Sequence, residues 1–209
     1  QFNQEILNED SDLYKFKPDM TFLILDPQKI LGDIYFSPYS KTTIEKKKFI
    51  TNLLNNFYSL IKQFTEYSNS KLVITTLNAQ NYSPYGIFEL KTTYGIFEMI
   101  NEFNYKLINH LKDKPLVFAL DFNSFVAKFG QKNIFDFRQY YFGDIQISLP
   151  MLEKFSDELI GFIKPVMGLT RKCLVLDLDN TLWGGIVGED GLEGLILGPN
   201  GVGMAFMDF

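Results

Sequence analysis

The sequence predicts an α/β protein: a three-layer, mostly parallel sheet over about residues 1–168, then the first strand and loop of a second α/β unit over residues 169–209. Three observations lead there. Apolar runs of strand length recur along the chain, the segments between them carry helical spacing, and a last apolar run ends on an acidic residue before a glycine-rich stretch. Strands that alternate with helices imply right-handed crossovers and parallel pairing.

The first strand is expected at Thr21–Leu25 and ends at Asp26-Pro27. A long helix follows from near Thr42 to Tyr67, because Ile50, Leu53, Leu54, Phe57, Leu60, Ile61 and Phe64 recur on one face. Thr42 and Glu45, three apart, read as its capping box. Lys46, Lys47 and Lys48 read as a solvated face of that helix, which an acidic partner protein could also use. Leu72–Leu77 is the second strand and ends at Asn78. Next comes a short near repeat, Tyr85-Gly86-Ile87-Phe88-Glu89-Leu90 against Tyr94-Gly95-Ile96-Phe97-Glu98-Met99, read as coincidence, with the first copy in a loop and the second opening a helix. That second helix runs from about Tyr94 to Lys112 with Ile96, Ile100, Phe103, Leu107 and Leu111 on its apolar face. Leu116–Leu120 is the third strand, after which Asp121, Asn123 and Ser124 suit a helix cap better than a ligand site. A third helix is expected from about Leu149 to Ile163, where Pro150 is tolerated in the first turn. Gly168-Leu169-Thr170 marks the expected boundary.

Composition narrows the function classes. A formal charge of −5 argues against nucleic acid, and no apolar run is long enough to span a membrane. One cysteine, Cys173, excludes an internal disulfide and fits a reducing, cytoplasmic compartment; it reads as a small core residue.

The most informative stretch is Cys173 to Gly185. Cys173, Leu174, Val175 and Leu176 read as a strand buried on both faces, and Asp177 is the first polar residue after them. Ligands of open parallel sheets sit beyond the carboxyl ends of the strands. Alternation along an extended chain turns Asp177 and Asp179 to one side, with Thr181 beyond. Two adjacent carboxylates repel unless a proton or cation lies between them, and Mg²⁺ prefers such hard oxygen donors. The expected chemistry is phosphoryl transfer, with one Asp attacking phosphorus and the other serving as acid and base. An Asp-x-Asp-x-Thr string alone also suits a turn that ends a strand.

The longer run, from Lys172 through Asp177, Asp179, Asn180 and Thr181 to Trp183-Gly184-Gly185, then Gly188 to Gly191 and Leu192 to Gly194, resembles the FkbH-like branch of the haloacid dehalogenase (HAD) superfamily. The resemblance implies that Asp177 is nucleophile and metal ligand, and that Asp179 is acid and base and reaches Mg²⁺ through its carbonyl. Thr181 buttresses the turn. Trp183, Gly184 and Gly185 are candidate substrate contacts, although Trp183 suits an apolar anchor equally well. It further implies a phosphorylated small-molecule substrate, and a glyceryl unit passed from a phosphorylated glycerate to an acyl carrier protein. Relatives place a Rossmann-like domain similar to the SGNH hydrolases ahead of the HAD domain, and residues 1–168 suit that place.

None of residues 182–209 is Ser, Thr, Lys, Arg or His, and the stretch holds eight of the 15 glycines. The later hydroxyl, cation and acidic parts of a HAD site are therefore not in it, and the chain is expected to be an inactive fragment of a longer enzyme. Two other readings stay open: a non-catalytic binding or dimerisation module, and an SGNH-type esterase. The esterase needs a base, and the single histidine, His110, falls within a helix pattern.

Overall fold

The computed structural model describes residues 2–79 and 82–209. They form two units, residues 1–162 and 163–209, taken here separately.

The first unit is built on three parallel strands: β1 (Met20–Leu23), β2 (Lys71–Thr75) and β3 (Val117–Leu120), in that spatial order. Register pairs Met20 with Lys71 and Leu72 with Val117. As the central strand, β2 is the most apolar in burial: Leu72, Val73, Ile74 and Thr75 are all buried, whereas β1 and β3 are half-covered edges. β1 and β2 each stop two residues short of the run that predicts them, because the following residues turn toward polar partners, whereas β3 ends at Leu120 as its run predicts.

The main helices are α1 (Phe2–Leu7), α2 (Pro27–Leu31), α3 (Thr43–Tyr67), α4 (Ile96–Leu111), α5 (Phe122–Phe129), α6 (Phe137–Gly143) and α7 (Leu152–Val166). Sequential strand order with right-handed crossovers places α3 and α4 on the same face of the sheet. They meet there, with the rings of Phe57 and Phe103 5.3 Å apart and edge to face. The capping box of α3 is formed by Thr42 and Glu45, and its buried face is Ile50, Leu54, Phe57, Leu60, Ile61 and Phe64, as the spacing predicts. The main core joins these residues to Ile96, Met99, Ile100, Phe103 and Leu107 of α4 and to Leu23, Leu72, Ile74 and Val117 of the sheet. Phe118 points the other way from Val117 by strand alternation and meets Phe162 of α7 at 6.5 Å. A smaller core gathers Phe122, Phe125, Val126, Ile134, Ile147 and Phe155.

The near repeat divides as expected, into a 3-10 turn (Gly86–Lys91) and the start of α4. The buried Glu89 carboxylate accepts the Phe97 N–H at 2.8 Å and the Ser83 hydroxyl, so the first copy caps the helix opened by the second.

Lys46 departs from the solvated lysine face. It is 2% exposed and lies over the Tyr85 ring, 5.6 Å from its centroid. Four residues before Ile50, it shares the inward stripe of α3, and its stem is covered while Nζ reaches the Tyr85 hydroxyl at 3.4 Å.

Among the described residues no helix is long and apolar enough to cross a membrane.

Candidate functional site

The second unit contains the acidic turn. The expected buried strand at Cys173–Leu176 is not formed: these residues have no strand partner among the described residues, Leu174 is 76% exposed and Val175 88%, and Cys173 is exposed. A strand's N–H and C=O groups point sideways, so an apolar run becomes a buried strand only where neighbours flank it. The composition of the run does not supply those neighbours.

The turn itself is well tied. The Leu178 carbonyl accepts from the N–H groups of Thr181 (3.2 Å) and Leu182 (2.9 Å). Asn180 takes the left-handed conformation at φ 56°, which Asn tolerates better than most residues, and its Oδ1 accepts the Gly185 N–H at 2.9 Å. Asp179 is half-buried, and its Oδ1 accepts the Trp183 indole N–H at 3.0 Å and the Val187 N–H at 3.3 Å. Asp177 is exposed, and its Oδ1 accepts the N–H of Leu178 at 2.8 Å. The Trp183 indole N–H thus orients Asp179.

Gly184 is buried and exchanges backbone hydrogen bonds with Ile196 at 3.1 and 2.8 Å. A Cβ there would stand 3.0 Å from Ile196 Cβ and 3.1 Å from the Phe206 ring, so only glycine fits without displacement. Gly185, at φ 99°, is held beside Asp190, whose Oδ2 accepts the Ile186 N–H at 2.8 Å. Asn180 and Asp190 are the turn's unforeseen members. An Asn placed directly after two alternating acids is the signal for the left-handed bend, whereas nothing local points to Asp190.

As a cation centre, the turn offers hard oxygen donors of the type Mg²⁺ prefers, on Asp177 and Asp179. Among the described residues no three or more Asp, Glu, His or Cys gather as a metal site. The Thr181 contribution to the turn is its N–H.

In the first unit, polar residues collect at the carboxyl ends of the strands. Asp26 caps α2, accepting the Gln28 N–H at 2.9 Å through Oδ1 and the Tyr140 hydroxyl at 2.8 Å through Oδ2. Burial and then this hydrogen bond push the Tyr140 phenol well above its ordinary value. Asp121 caps α5, as expected, and also accepts from Ser124 and Thr76. Burial alone would raise the Asp121 carboxyl; hydrogen bonds from Ser124, Thr76 and Asn123 outweigh it and hold the group below its ordinary value. Asn78 donates to Asn123 Oδ1 at 2.8 Å. His110 sits in the last turn of α4 stacked on Tyr58, ring centroids 3.8 Å apart, with no hydrogen bond to a serine among the described residues.

Residues 1–164 match the family described as FkbH, N-terminal domain. No curated protein matches the chain. Among solved structures, it is similar to the crystal structure of the N-terminal part of the protein BF1531 from Bacteroides fragilis, which contains a phosphatase domain and is complexed with Mg. The identity is 28% and the TM-score 0.78, over 100% of this chain and 54% of that one. The chain therefore spans about half the length of that solved relative.

Proposed function

The chain belongs to the family of FkbH N-terminal domains, and from that premise we propose that it is part of a Mg²⁺-dependent phosphatase or transferase of the HAD superfamily, with Asp177 as nucleophile. The observation that carries the proposal is the tied turn in which Asp177 stays accessible while Asp179, two residues on, is oriented by Trp183. The Mg-bound phosphatase domain of the similar Bacteroides fragilis protein supports the reading.

In this account an Asp177 oxygen attacks phosphorus, the bond from phosphorus to the ester oxygen breaks, and the departing oxygen takes a proton from Asp179. Water then attacks the aspartyl phosphate, Asp179 takes up the proton, and phosphate leaves. Mg²⁺, held by Asp177 and by the backbone carbonyl of Asp179, would offset the charge on the phosphoryl oxygens. The cation and hydroxyl that hold the phosphoryl group are assigned to parts of a longer protein. The length of the solved relative and the unflanked apolar run before Asp177 both support that assignment.

The substrate assigned is a phosphorylated three-carbon acid; where the phosphate sits on its carboxyl, the thiolate of an acyl carrier protein takes the glyceryl unit in a separate step by attacking the acyl carbon, so that the C–S bond forms, the acyl C–O bond breaks and phosphate leaves. Full-length protein is incubated with Mg²⁺, phosphoglycerates and a carrier protein, following phosphate release and the carrier's intact mass. Mg²⁺-dependent phosphate release with a glyceryl mass increase on the carrier is expected. Release without any mass increase would reduce the assignment to a phosphatase, and no release would reject it.

A further inference from the structure

The 3-10 turn Gly86–Lys91 carries the first copy of the near repeat, and it turns its apolar residues outward. Ile87 is 89% exposed, Phe88 61% and Leu90 86%. Side chains three apart eclipse in a 3-10 helix. Ile87 and Leu90 therefore form one outer ridge, Phe88 and Lys91 form the next, and the row of Gly86 and Glu89 points Glu89 inward, where it is buried. The Glu89 carboxylate ties the turn from below through the Ser83 hydroxyl and the Phe97 N–H, so the ridges are fixed before anything meets them. Three neighbouring apolar side chains left in water on a fixed turn mark a contact surface.

Lysines select what meets it. Lys46 Nζ lies over the ring of Tyr85, the residue before the turn, and Lys47 Nζ lies 5.5 Å from the ring centroid of Tyr94, three residues after it. With Lys91 on the turn itself, cations stand at both ends of the ridges. Among the described residues none of the three is in an ion pair. The carboxylates around them are engaged elsewhere: Glu89 below the turn, Glu98 on the Tyr94 N–H, and Glu102 with Lys106 at 2.5 Å. An acidic partner therefore finds unpaired positive charge beside apolar surface. A second copy does not, because a twofold contact through this face would bring lysine toward lysine. An anionic membrane is opposed by the charge of the whole chain, which is −5.

We propose that this turn docks an acidic amphipathic helix of a partner protein, whose apolar strip covers Ile87, Phe88 and Leu90 and whose flanking carboxylates pair with Lys47 and Lys91. The surface is independent of Asp177 and of the phosphoryl chemistry assigned to it.

The test is fluorescence anisotropy of a labelled peptide of about 15 residues, with leucine along one helical face and glutamate on its flanks, titrated with the chain. A companion peptide carries lysine in place of glutamate. Saturable binding of the glutamate peptide is expected, with the lysine peptide at least about tenfold weaker. Ile87→Ser together with Leu90→Ser removes the outer ridge and should weaken the glutamate peptide at least about tenfold. Lys47→Glu together with Lys91→Glu should invert the preference between the two peptides. All four side chains are exposed, so the circular dichroism spectrum should not change in either variant. No saturable binding by folded chain, equal binding of the two peptides, unchanged affinity in the serine variant, or a preference that survives the charge reversal would each overturn the proposal. Binding to phosphatidylglycerol vesicles without peptide binding would overturn it in favour of a membrane, and a dimer in sedimentation that the serine variant abolishes would overturn it in favour of a second copy.

Discussion

Asn104→Leu tests how the strand-end region is held. Asn104 is a buried polar residue on the apolar face of α4, and its side chain acts as a substitute strand for Leu77: Oδ1 accepts the Leu77 N–H and Nδ2 donates to the Leu77 carbonyl, both at 2.8 Å. Leucine keeps the branching and heavy-atom count of Asn and removes both bonds. The two losses differ in weight. The Leu77 carbonyl still receives Asn123 Nδ2 at 3.2 Å, so it gives up one bond of two, worth about 0.5–1.5 kcal/mol. Among the described residues the Leu77 N–H has no other partner, so it becomes a buried orphan, which costs about 1–3 kcal/mol. Together the substitution is expected to cost about 2–4 kcal/mol. With a urea slope of about 2 kcal/mol/M, the midpoint falls by about 1–2 M. Far-UV circular dichroism, dominated by α3 and α4, reads that midpoint. A fall below about 0.3 M at unchanged slope would refute the reasoning, since Asn104 would then be a packing residue only.

Two further outcomes follow from the same geometry. Trp183→Phe keeps a ring but removes the N–H that Asp179 accepts, so amide hydrogen exchange at Gly185 and Val187 should quicken about tenfold, and unchanged exchange would contradict the role given to the indole. His110 is held below its ordinary value by burial and then by the Lys114 charge. The unfolded chain therefore takes the proton first, and stability should fall as pH drops below about 6.5 and through the folded value. His110→Phe, which keeps the stack on Tyr58, should flatten the change in urea midpoint between pH 7.5 and 5.5; an identical fall in the variant would contradict this.

The sheet and its two long helices were legible because their signals are local. Strand-length apolar runs, helical spacing in Ile50 to Phe64 and Ile96 to Leu111, and the Thr42 and Glu45 cap can each be read within a few turns of chain. What escaped is non-local. Cys173–Leu176 has the composition of a buried strand, but burial depends on flanking strands that composition cannot announce. Lys46 looks like one of three solvated lysines until helical phase puts it in line with Ile50 and the fold brings Tyr85 beneath it. Asn104 is an interruption in an apolar face, and its meaning lies 27 residues earlier, at Leu77. In the candidate site, the alternation of Asp177 and Asp179 was readable, whereas the Trp183 hydrogen bond to Asp179 depends on a turn whose closure also involves Asn180. The groove lined by Gln28, Tyr35, Phe36, Tyr82, Phe137 and Tyr141 joins residues far apart in the chain, so no sequence window contains it.

The central claim is that Asp177 attacks phosphorus. Its most direct test is phosphate release by the full-length protein in Mg²⁺, compared with the Asp177→Asn variant, which replaces the attacking oxygen with an amide of the same size. Asp177 is exposed and among the described residues its one hydrogen bond is to the adjacent Leu178 N–H, which the amide oxygen of Asn can also accept, so the variant should fold as the parent does. The account predicts that release falls to background while the circular dichroism spectrum and urea midpoint are unchanged; a folded Asp177→Asn protein that releases phosphate at the parental rate would contradict it.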